Sequence, residues 1–358
     1  MPFPYFYDNM LERLVYMNKK VLIGMSGGVD SSLAAALLKE QGYDVTGATM
    51  LLWEDTAVAA QDAKRVCEHI GIDFITIDFR DKFRHDVVDY FTGEYINGRT
   101  PNPCIMCNKY MKFGSMLDYA LENGFDYIST GHYARIVKNG ALYELHASAA
   151  DKKDQSYFLY NFNQHVLSHT IMPLGGYTKE RCREEAQRRG LPVANKPDSQ
   201  EICFVKNDDY AQFICNHTGY IPKPGDIFDI NGDKIGEHKG LIYYTIGQRK
   251  GIGAYGRPMF VMSIDAKSNS IVLGEKGMEF APSLEAYDMN YISGIPLTEP
   301  RRFEVKIRYQ AKRAAALVIP ENENEVRIEF DEPQRAITPG QAVVLYDGDR
   351  VVGGGRVK

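Results

Sequence analysis

The sequence predicts an α/β fold on a parallel sheet, followed by two smaller β-rich parts. From Val21 to about residue 205, short apolar runs alternate with amphipathic stretches, as in βαβ units. Beyond that point prolines and glycines punctuate short runs rich in Ile, Tyr and Val, typical of strands and turns. The last part contains FEVKIRYQ, ALVIP, EVRIEF and AVVLYDG, typical of strands of a small barrel.

The predicted division follows these changes of texture. It comprises an N-terminal extension (1–20), an α/β domain (21–205), a central β-rich domain (206–283) and a C-terminal β-barrel domain (284–358). Within the α/β domain, VLIGM, VTGATMLL, FITIDF and YIST are the candidate strands. Gly42, Gly71 and Gly124 each stand where a left-handed residue would end a helix.

Charge and cysteine content limit the function classes. The formal net charge of −5 over 358 residues argues against a protein that coats nucleic acid nonspecifically, because such affinity comes from many Lys and Arg contacts with phosphate. No apolar stretch approaches a membrane span, and the first residues lack the pattern of a signal peptide. We expect a cytoplasmic protein with no membrane partner, whose six cysteines are thiols.

A phosphate-binding loop is predicted at VLIGMSGGVDSSLAAALL, where a strand, a Ser-Gly-Gly turn and a helix follow one another. Free backbone N–H groups at such a helix start favour phosphate. Gly27 and Gly28 allow close backbone approach, and Ser26 and Ser31 offer hydroxyls. The string lacks both the Walker ending and a dinucleotide fingerprint. An ordinary glycine turn is the alternative.

The SGGVDSS string resembles the PP-loop of the ATP pyrophosphatase family. That resemblance implies an adenine nucleotide α-hydrolase-like fold and cleavage of ATP to AMP and pyrophosphate while a carbonyl oxygen is adenylated. Asp30 is then a candidate contact for Mg²⁺, which favours carboxylate and phosphate oxygens.

Three cysteines are candidates for one further site. GRTPNPCIMCNKYMKFG carries Cys104 and Cys107, and DSQEICFV carries Cys203. A lone C-x-x-C indicates redox chemistry, half a zinc site or nothing. The remaining cysteines have apolar or amphipathic surroundings typical of small buried hydrophobes, and they are Cys67, Cys182 and Cys215.

Beside SGGVDSS, the TPNP-x-x-x-CN and SQ-x-IC strings resemble the 2-thiouridylase family, as do TGHYA, KDQSYFL, YTIGQRKG and PGQAVVLYDGD followed by GGG. The resemblance implies ATP-dependent 2-thiolation of the wobble uridine in tRNAs for Lys, Glu and Gln. It makes Cys107 the nucleophile and Cys203 the carrier of a persulfide, with a final disulfide between them. The implied partners are tRNA and a cysteine desulfurase or sulfur-relay protein.

The same resemblance assigns the remaining candidate residues. The expected ATP contacts are Gly24, Met25, Ser26, Gly27, Gly28, Val29, Asp30, Ser31, Met50 and Gly131. The expected contacts with the target base are Asn102, Pro103 and Cys104. The expected tRNA contacts are His132, Lys153, Asp154, Gln155, Arg308, Tyr309 and Gln341. For His132, a structural histidine at a strand end is the alternative.

Cys104 departs from the family pattern, which has an acidic residue there. A thiol is a poorer base and acceptor than a carboxylate. The departure leaves open an iron–sulfur cluster held by Cys104, Cys107 and Cys203, or a three-thiol zinc site.

Residues 301–313 form the best local RNA footprint, with six basic residues and one acidic residue. Apolar and polar side chains alternate from Phe303 to Gln310, so one face of a strand can pack while the other meets phosphate. A solvated strand face is the alternative. Arg249 and Lys250 in GQRKG are further candidates.

Two rival functions follow from the same residues. Another PP-loop enzyme, an amidotransferase or ligase, would not need three positioned cysteines or the basic strand. A noncatalytic RNA-binding or metal-carrying module fits poorly with the acidic net charge and the complete nucleotide loop.

Overall fold

The computed structural model describes residues 18–54, 56–150, 153–197 and 202–358. Most of the predicted N-terminal extension lies outside them. The first domain contains a parallel sheet, as predicted, and the sheet has five strands. Its strands are β1 (Lys20–Gly24), β2 (Asp44–Leu51), β3 (Asp73–Asp78), β4 (Tyr127–Ser129) and β7 (Thr170–Ile171). Their order across the sheet is β3-β2-β1-β4-β7.

Seven helices in the described residues accompany these sheets. They are α1 (Val29–Glu40), α2 (Thr56–Ile70), α3 (Arg80–Phe83, Arg84–Asp89 and Tyr90–Ile96 in succession), α4 (Pro103–Met106, Cys107–Ser115 and Met116–Glu122 in succession), α5 (Gln164–Ser168), α6 (Lys179–Arg188) and α7 (Tyr210–Thr218). The predicted stops are confirmed. Gly42, Gly71 and Gly124 follow α1, α2 and α4 with φ of 94°, 68° and 77°, a region that costs glycine little.

The strand order places the nucleotide loop where the direction of chain progress across the sheet reverses. From β1 the chain proceeds outward through β2 and β3, and it then returns to β4 on the other side of β1. The loops that follow β1 and β4 diverge there and open a crevice, which is where ligands bind in open parallel sheets.

The central domain is a separate four-stranded sheet. Its strands are β8 (Gly225–Asp229), β9 (Lys234–His238), β10 (Met259–Asp265) and β11 (Ser270–Glu275), in the order β10-β11-β8-β9. Ile227, Val261, Ile271 and Leu273 form the centre of its own small core. The predicted short strands and turns are confirmed.

The C-terminal domain is a closed antiparallel barrel. Its strands are β12 (Phe280–Tyr291), β13 (Arg301–Lys306), β14 (Ala314–Asn322), β15 (Glu325–Arg335), β16 (Ala342–Asp347) and β17 (Arg350–Val357). The order β12-β15-β14-β13-β16-β17 closes because β12 also pairs with β17. A Cβ at Gly353 would lie 2.1 Å from the carbonyl oxygen of Asn290, so closure requires glycine there.

One hairpin crosses from the first domain to the barrel. Strands β5 (Ala134–Asn139) and β6 (Leu142–Ala147) follow β4 in the chain, yet β6 pairs with β17 through His146↔Arg350 and Leu145↔Val351. The hairpin thus extends the barrel sheet. By sequence position it belongs to the α/β part.

The predicted strand through Gln310 is too long. Phe303 and Val305 face the core as expected, but β13 ends at Lys306. Residues 307–313 form a bend and turn before β14 begins. Arg308 and Tyr309 therefore project from a turn rather than from a strand face.

Within the described residues, no helix has both the length and the apolar character that a bilayer crossing requires.

Candidate active site

The nucleotide loop joins β1 to α1. Gly27 has a φ of 68°, and a Cβ there would lie 2.6 Å from the carbonyl oxygen of Ala59 in α2. The Ser31 hydroxyl accepts from the Ser26 N–H at 3.2 Å and donates to the Gly28 carbonyl at 3.3 Å. The loop is thus fixed by its glycines and hydroxyls before any ligand arrives.

Asp30 is engaged by two donors. Lys179 Nζ from α6 donates to both carboxylate oxygens at 2.7 and 2.8 Å, and the Tyr133 hydroxyl donates to Oδ1 at 2.7 Å. Burial and the Asp30 charge raise the pKa of Tyr133, which keeps it a donor. The carboxylate is therefore not arranged as an open Mg²⁺ ligand.

A second lysine holds the loop from the other side. Lys196 Nζ donates to the Gly27 carbonyl at 3.0 Å and to Asp62 Oδ2 at 2.7 Å. Hydrogen bonds from Lys196 and Arg65 hold the pKa of Asp62 below its usual range. Sequence reasoning missed Lys179 and Lys196, because they lie 149 and 169 residues from their loop partners and no motif marks them.

Other predicted ATP residues surround the same crevice. A Cβ at Gly131, after β4, would lie 2.6 Å from the Ser31 backbone nitrogen, so the two loops touch. Met25 and Val29 are each 3% exposed, so their side chains are part of the core. Met50 is half-buried in β2, next to the loop strand.

The cysteine site begins at α4. Asn102 caps this helix by accepting from the Cys104 N–H at 3.1 Å, and Pro103 occupies the first helical turn. Cys107 starts a stretch with π-type winding. Such wide turns are frequent at functional sites.

The three candidate thiols are neighbours. Burial, with a smaller contribution from charge on Cys203 and Cys104, raises the pKa of Cys107 to about 12. Burial likewise raises the pKa of Cys203 to about 11. The residues Cys104 and Cys203 are nevertheless exposed, and Cys107 is half-buried. We call these three neighbouring thiols and their surroundings the cysteine cleft. All three are free thiols.

Lys112 is the cation of this cleft. Five residues after Cys107 on the π-wound stretch, it lowers the pKa of Cys104, Cys107 and Cys203 against the effect of burial. Hydrogen bonding from i to i+5 brings residues of this spacing onto neighbouring positions. Sequence reasoning missed Lys112, because α-helical spacing would place it on another face.

The three cysteines are also the candidates for an iron–sulfur cluster or a zinc site. In the part of the chain that the structure describes, no three Cys, His, Asp or Glu side chains converge as metal ligands. An iron–sulfur cluster or a zinc ion at Cys104, Cys107 and Cys203 therefore stays a prediction.

The predicted RNA contacts of the first domain are buried or half-buried, and most of them are hydrogen-bonded to other parts of the protein. His132 is 8% exposed, its Nδ1 lies 2.8 Å from the Thr130 hydroxyl, and burial holds its pKa well below the usual value. Asp154 accepts from the Ser148 and Ser156 backbone N–H groups at 3.0 and 3.1 Å. Gln155 Oε1 accepts from the Tyr133 N–H at 3.0 Å. Lys153 is half-buried.

The predicted barrel contacts lie at the domain junction. Arg308 donates to the Arg335 carbonyl at 2.8 Å, and the Tyr309 ring packs on Phe158 with 4.4 Å between centroids. Gln341 Nε2 donates to the Thr100 carbonyl at 2.8 Å, just before the Asn102 cap. The barrel thus braces the cysteine-bearing segment.

The fold and the loop define an ATP-using protein of the PP-loop class. A family model described as tRNA methyl transferase HUP domain matches residues 19–207. Models described as tRNA methyl transferase PRC-barrel domain and aminomethyltransferase beta-barrel domain match residues 211–275 and 282–357.

Relatives align along nearly the whole chain. The tRNA-specific 2-thiouridylase MnmA of Acetivibrio thermocellus is 51% identical over 95% of this chain and 99% of its own length. That of Clostridioides difficile is 51% identical over 96% of this chain and 99% of its own length. This chain therefore belongs to the tRNA-specific 2-thiouridylase family, and the resemblance read from its motifs is confirmed.

A solved 4-thiouridine synthetase–RNA complex with bound ATP is more distant. It is 19% identical, covers 52% of this chain and 45% of that chain, and has a TM-score of 0.37. That likeness carries no argument about the site.

Proposed function

We propose that this protein uses ATP to replace the 2-oxygen of the wobble uridine with sulfur in tRNAs for Lys, Glu and Gln. The observation that carries the proposal is the pair of interacting thiols, Cys107 and Cys203, in a chain that also holds a complete PP-loop. Family membership supports the same reaction.

The first step is adenylation. The uridine O2 attacks the α-phosphorus of ATP, the bond to the β-phosphate oxygen breaks, and pyrophosphate leaves. The PP-loop backbone and the α1 N-terminus favour the negative charge of the phosphates. Activation is needed because the amide-like C2 oxygen leaves poorly, whereas AMP leaves readily.

The second step transfers sulfur. The outer sulfur of a Cys203 persulfide attacks C2, and AMP departs with the old oxygen. Cys107 then attacks the inner sulfur, the S–S bond breaks, and its electron pair passes to the sulfur on C2. The products are 2-thiouridine, AMP and a Cys107–Cys203 disulfide, which an external dithiol reductant returns to two thiols.

The site geometry supports these roles. Asn102, Pro103 and Cys104 are at the start of the helix that bears Cys107, so the target base would enter beside the nucleophile. A uridine in a single-stranded loop is drawn out at least cost. The persulfide arises from a cysteine desulfurase or a sulfur-relay protein. Mg²⁺ at Asp30 requires Lys179 to move away first.

The test is nucleoside mass spectrometry of unmodified glutamate tRNA after incubation with ATP, Mg²⁺ and a cysteine desulfurase. Protein purified without oxygen is compared with protein stripped of iron. Sulfur at C2 of the wobble uridine in both samples supports the persulfide route. Sulfur only in the iron-containing sample overturns that route, and its absence from both overturns the substrate assignment.

A further inference from the structure

The central domain contains an open pocket that the proposed reaction does not use. It has a volume of about 330 Å³ and is lined by the loop between the short turn Leu241–Tyr243 and β10. Arg249, Tyr255 and Arg257 contribute to its wall, and Arg257 forms an ion pair with Glu275 of β11 at 2.5 Å. Residues 239–258 contain four basic residues and no acidic residue, in a chain of net charge −5.

Hydrogen bonds fix the backbone of the pocket loop next to its exposed cations. Gln248 Oε1 accepts from the Thr245 N–H at 2.9 Å, and its Nε2 donates to the Lys250 carbonyl at 2.8 Å. The Val261 N–H donates to the Gln248 carbonyl at 3.0 Å, which ties the loop to β10. Arg249 and Lys250 project from this scaffold, exposed, with no carboxylate partner among the described residues.

An aromatic ring stands beside these cations. A Cβ at Gly253 would lie 3.4 Å from the Tyr255 ring, and a Cβ at Gly236 would lie 3.1 Å from its hydroxyl. The half-buried ring is therefore held against glycine backbone. Proteins bind single-stranded RNA with cationic side chains that contact phosphates and with aromatic rings that stack on bases.

The loop that lines the pocket contacts the barrel close to a predicted RNA contact. A Cβ at Gly247, at the start of the loop, would lie 2.6 Å from the Ala336 Cβ, so the loop touches the barrel there. The preceding residue, Arg335, accepts the hydrogen bond from Arg308. The loop that lines the pocket therefore begins next to the segment that binds Arg308, a predicted RNA contact.

From this arrangement we propose that the pocket formed by Arg249, Tyr255 and Arg257 binds a tRNA nucleotide other than the reacting uridine. Arg249 contacts its phosphate and Tyr255 stacks on its base. The inference rests on the proposed function, since it takes tRNA as the substrate. A protein partner fits less well, because the exposed wall is glycine-rich and cationic.

The experiment measures the tRNA dissociation constant against salt for Arg249→Ala, Tyr255→Ala and Tyr255→Phe in the full chain. Arg249→Ala should weaken binding several-fold and reduce the salt slope by about 0.7 to 0.9, the value for one lost phosphate contact. Tyr255→Ala should weaken binding with an unchanged slope, and Tyr255→Phe should bind normally. KM for tRNA should rise with kcat unchanged.

Lys267→Ala is the matched control. Lys267 is an exposed cation at the opposite end of the same β10–β11 hairpin, because Asp265 pairs with Ser270 there and Met259 pairs with Glu275 at the pocket end. Equal slopes for Arg249→Ala, Lys267→Ala and the parent protein would overturn the inference. Normal tRNA binding by Arg249→Ala with slower sulfur supply from the desulfurase would instead assign the pocket to a protein.

The outcome is separable from the proposed function. Binding slopes are measured without catalysis, so they test the pocket even if no 2-thiouridine forms. Conversely, normal 2-thiouridine formation with unaltered slopes in every variant refutes only the pocket.

Discussion

The nucleotide loop and the cysteine cleft lie in one domain but are prepared very differently. In the loop, Ser26, Ser31 and Asp30 all have hydrogen-bond partners, and lysines brace it from two sides. In the cleft, Cys107 and Cys203 are protonated thiols whose pKa burial raises. The loop is held in one arrangement, whereas in the proposed reaction the thiols of the cleft must lose protons before sulfur is transferred.

This difference has a chemical reason. Phosphate binding requires fixed donors, and fixed donors cost no reorganisation when the ligand arrives. A thiolate is reactive toward oxidants as well as toward the intended sulfur, so thiols kept protonated are protected until they are needed.

The largest expected effect comes from removing a sulfur from the cleft. Cys107→Ser and Cys203→Ser should each lower 2-thiouridine formation by on the order of 10⁴-fold, as loss of a nucleophile does elsewhere. The loop should still work, so tRNA-dependent exchange of labelled pyrophosphate into ATP should continue. Cys215→Ser, at a half-buried cysteine of α7, is the control and should behave as the parent. Undiminished thiolation by Cys107→Ser would contradict its proposed role.

The next effect comes from breaking the loop. In Gly27→Ala the new Cβ meets the Ala59 carbonyl at a φ that alanine rarely adopts. We expect KM for ATP to rise on the order of tenfold and the free energy of unfolding to fall by about 1–3 kcal/mol. Steady-state kinetics and urea unfolding measure these. Gly176→Ala, where a Cβ meets nothing within 4 Å, should change neither. A normal KM for Gly27→Ala would show that the loop is not preformed.

A smaller effect tests the charge state of the cleft. Because Lys112 lowers the pKa of Cys107 and Cys203, Lys112→Met should raise both and reduce the thiolate fraction at any given pH. Alkylation by iodoacetamide at pH 8 should slow a few-fold, and its rise with pH should move to higher pH. Lys112→Arg should restore most of the rate. Identical pH profiles for Lys112→Met and the parent would show that Lys112 does not influence the pKa of the thiols.

The smallest effect concerns the brace between the barrel and the cleft. Gln341→Ala removes the hydrogen bond to the Thr100 carbonyl. The free energy of unfolding should fall by about 1 kcal/mol, the usual contribution of such a bond. Thermal unfolding measures this change. Loss of tRNA affinity with no loss of stability would instead support the predicted direct contact of Gln341 with tRNA.

Local patterns fixed much of the fold because each depends on near neighbours in the chain. Alternating apolar runs predicted the parallel sheet, and Gly42, Gly71 and Gly124 marked helix ends through their own φ. The β13 boundary was wrong, because strand length is limited by pairing with β14 and β16 rather than by alternation alone. Pairing partners are remote in sequence.

The site shows the same division. Motifs identified the loop and the cysteines, since SGGVDSS and C-x-x-C are contiguous. Asp154 and Gln155 fall within a motif too, yet their side chains bind backbone groups of distant or neighbouring segments. Their predicted contacts with tRNA stay predictions.

The sequence by itself determined which chemical groups are available for function: a glycine-rich loop, three cysteines in motifs and the basic segment 301–313. Only the tertiary structure determined which groups contact one another. Lys179 binds Asp30, Lys196 binds the Gly27 carbonyl, Lys112 acts on the thiols, and the β5–β6 hairpin pairs with the barrel. The reason is physical. A motif is specified by adjacent residues, whereas an ion pair or strand pair is specified by packing of segments far apart in the chain.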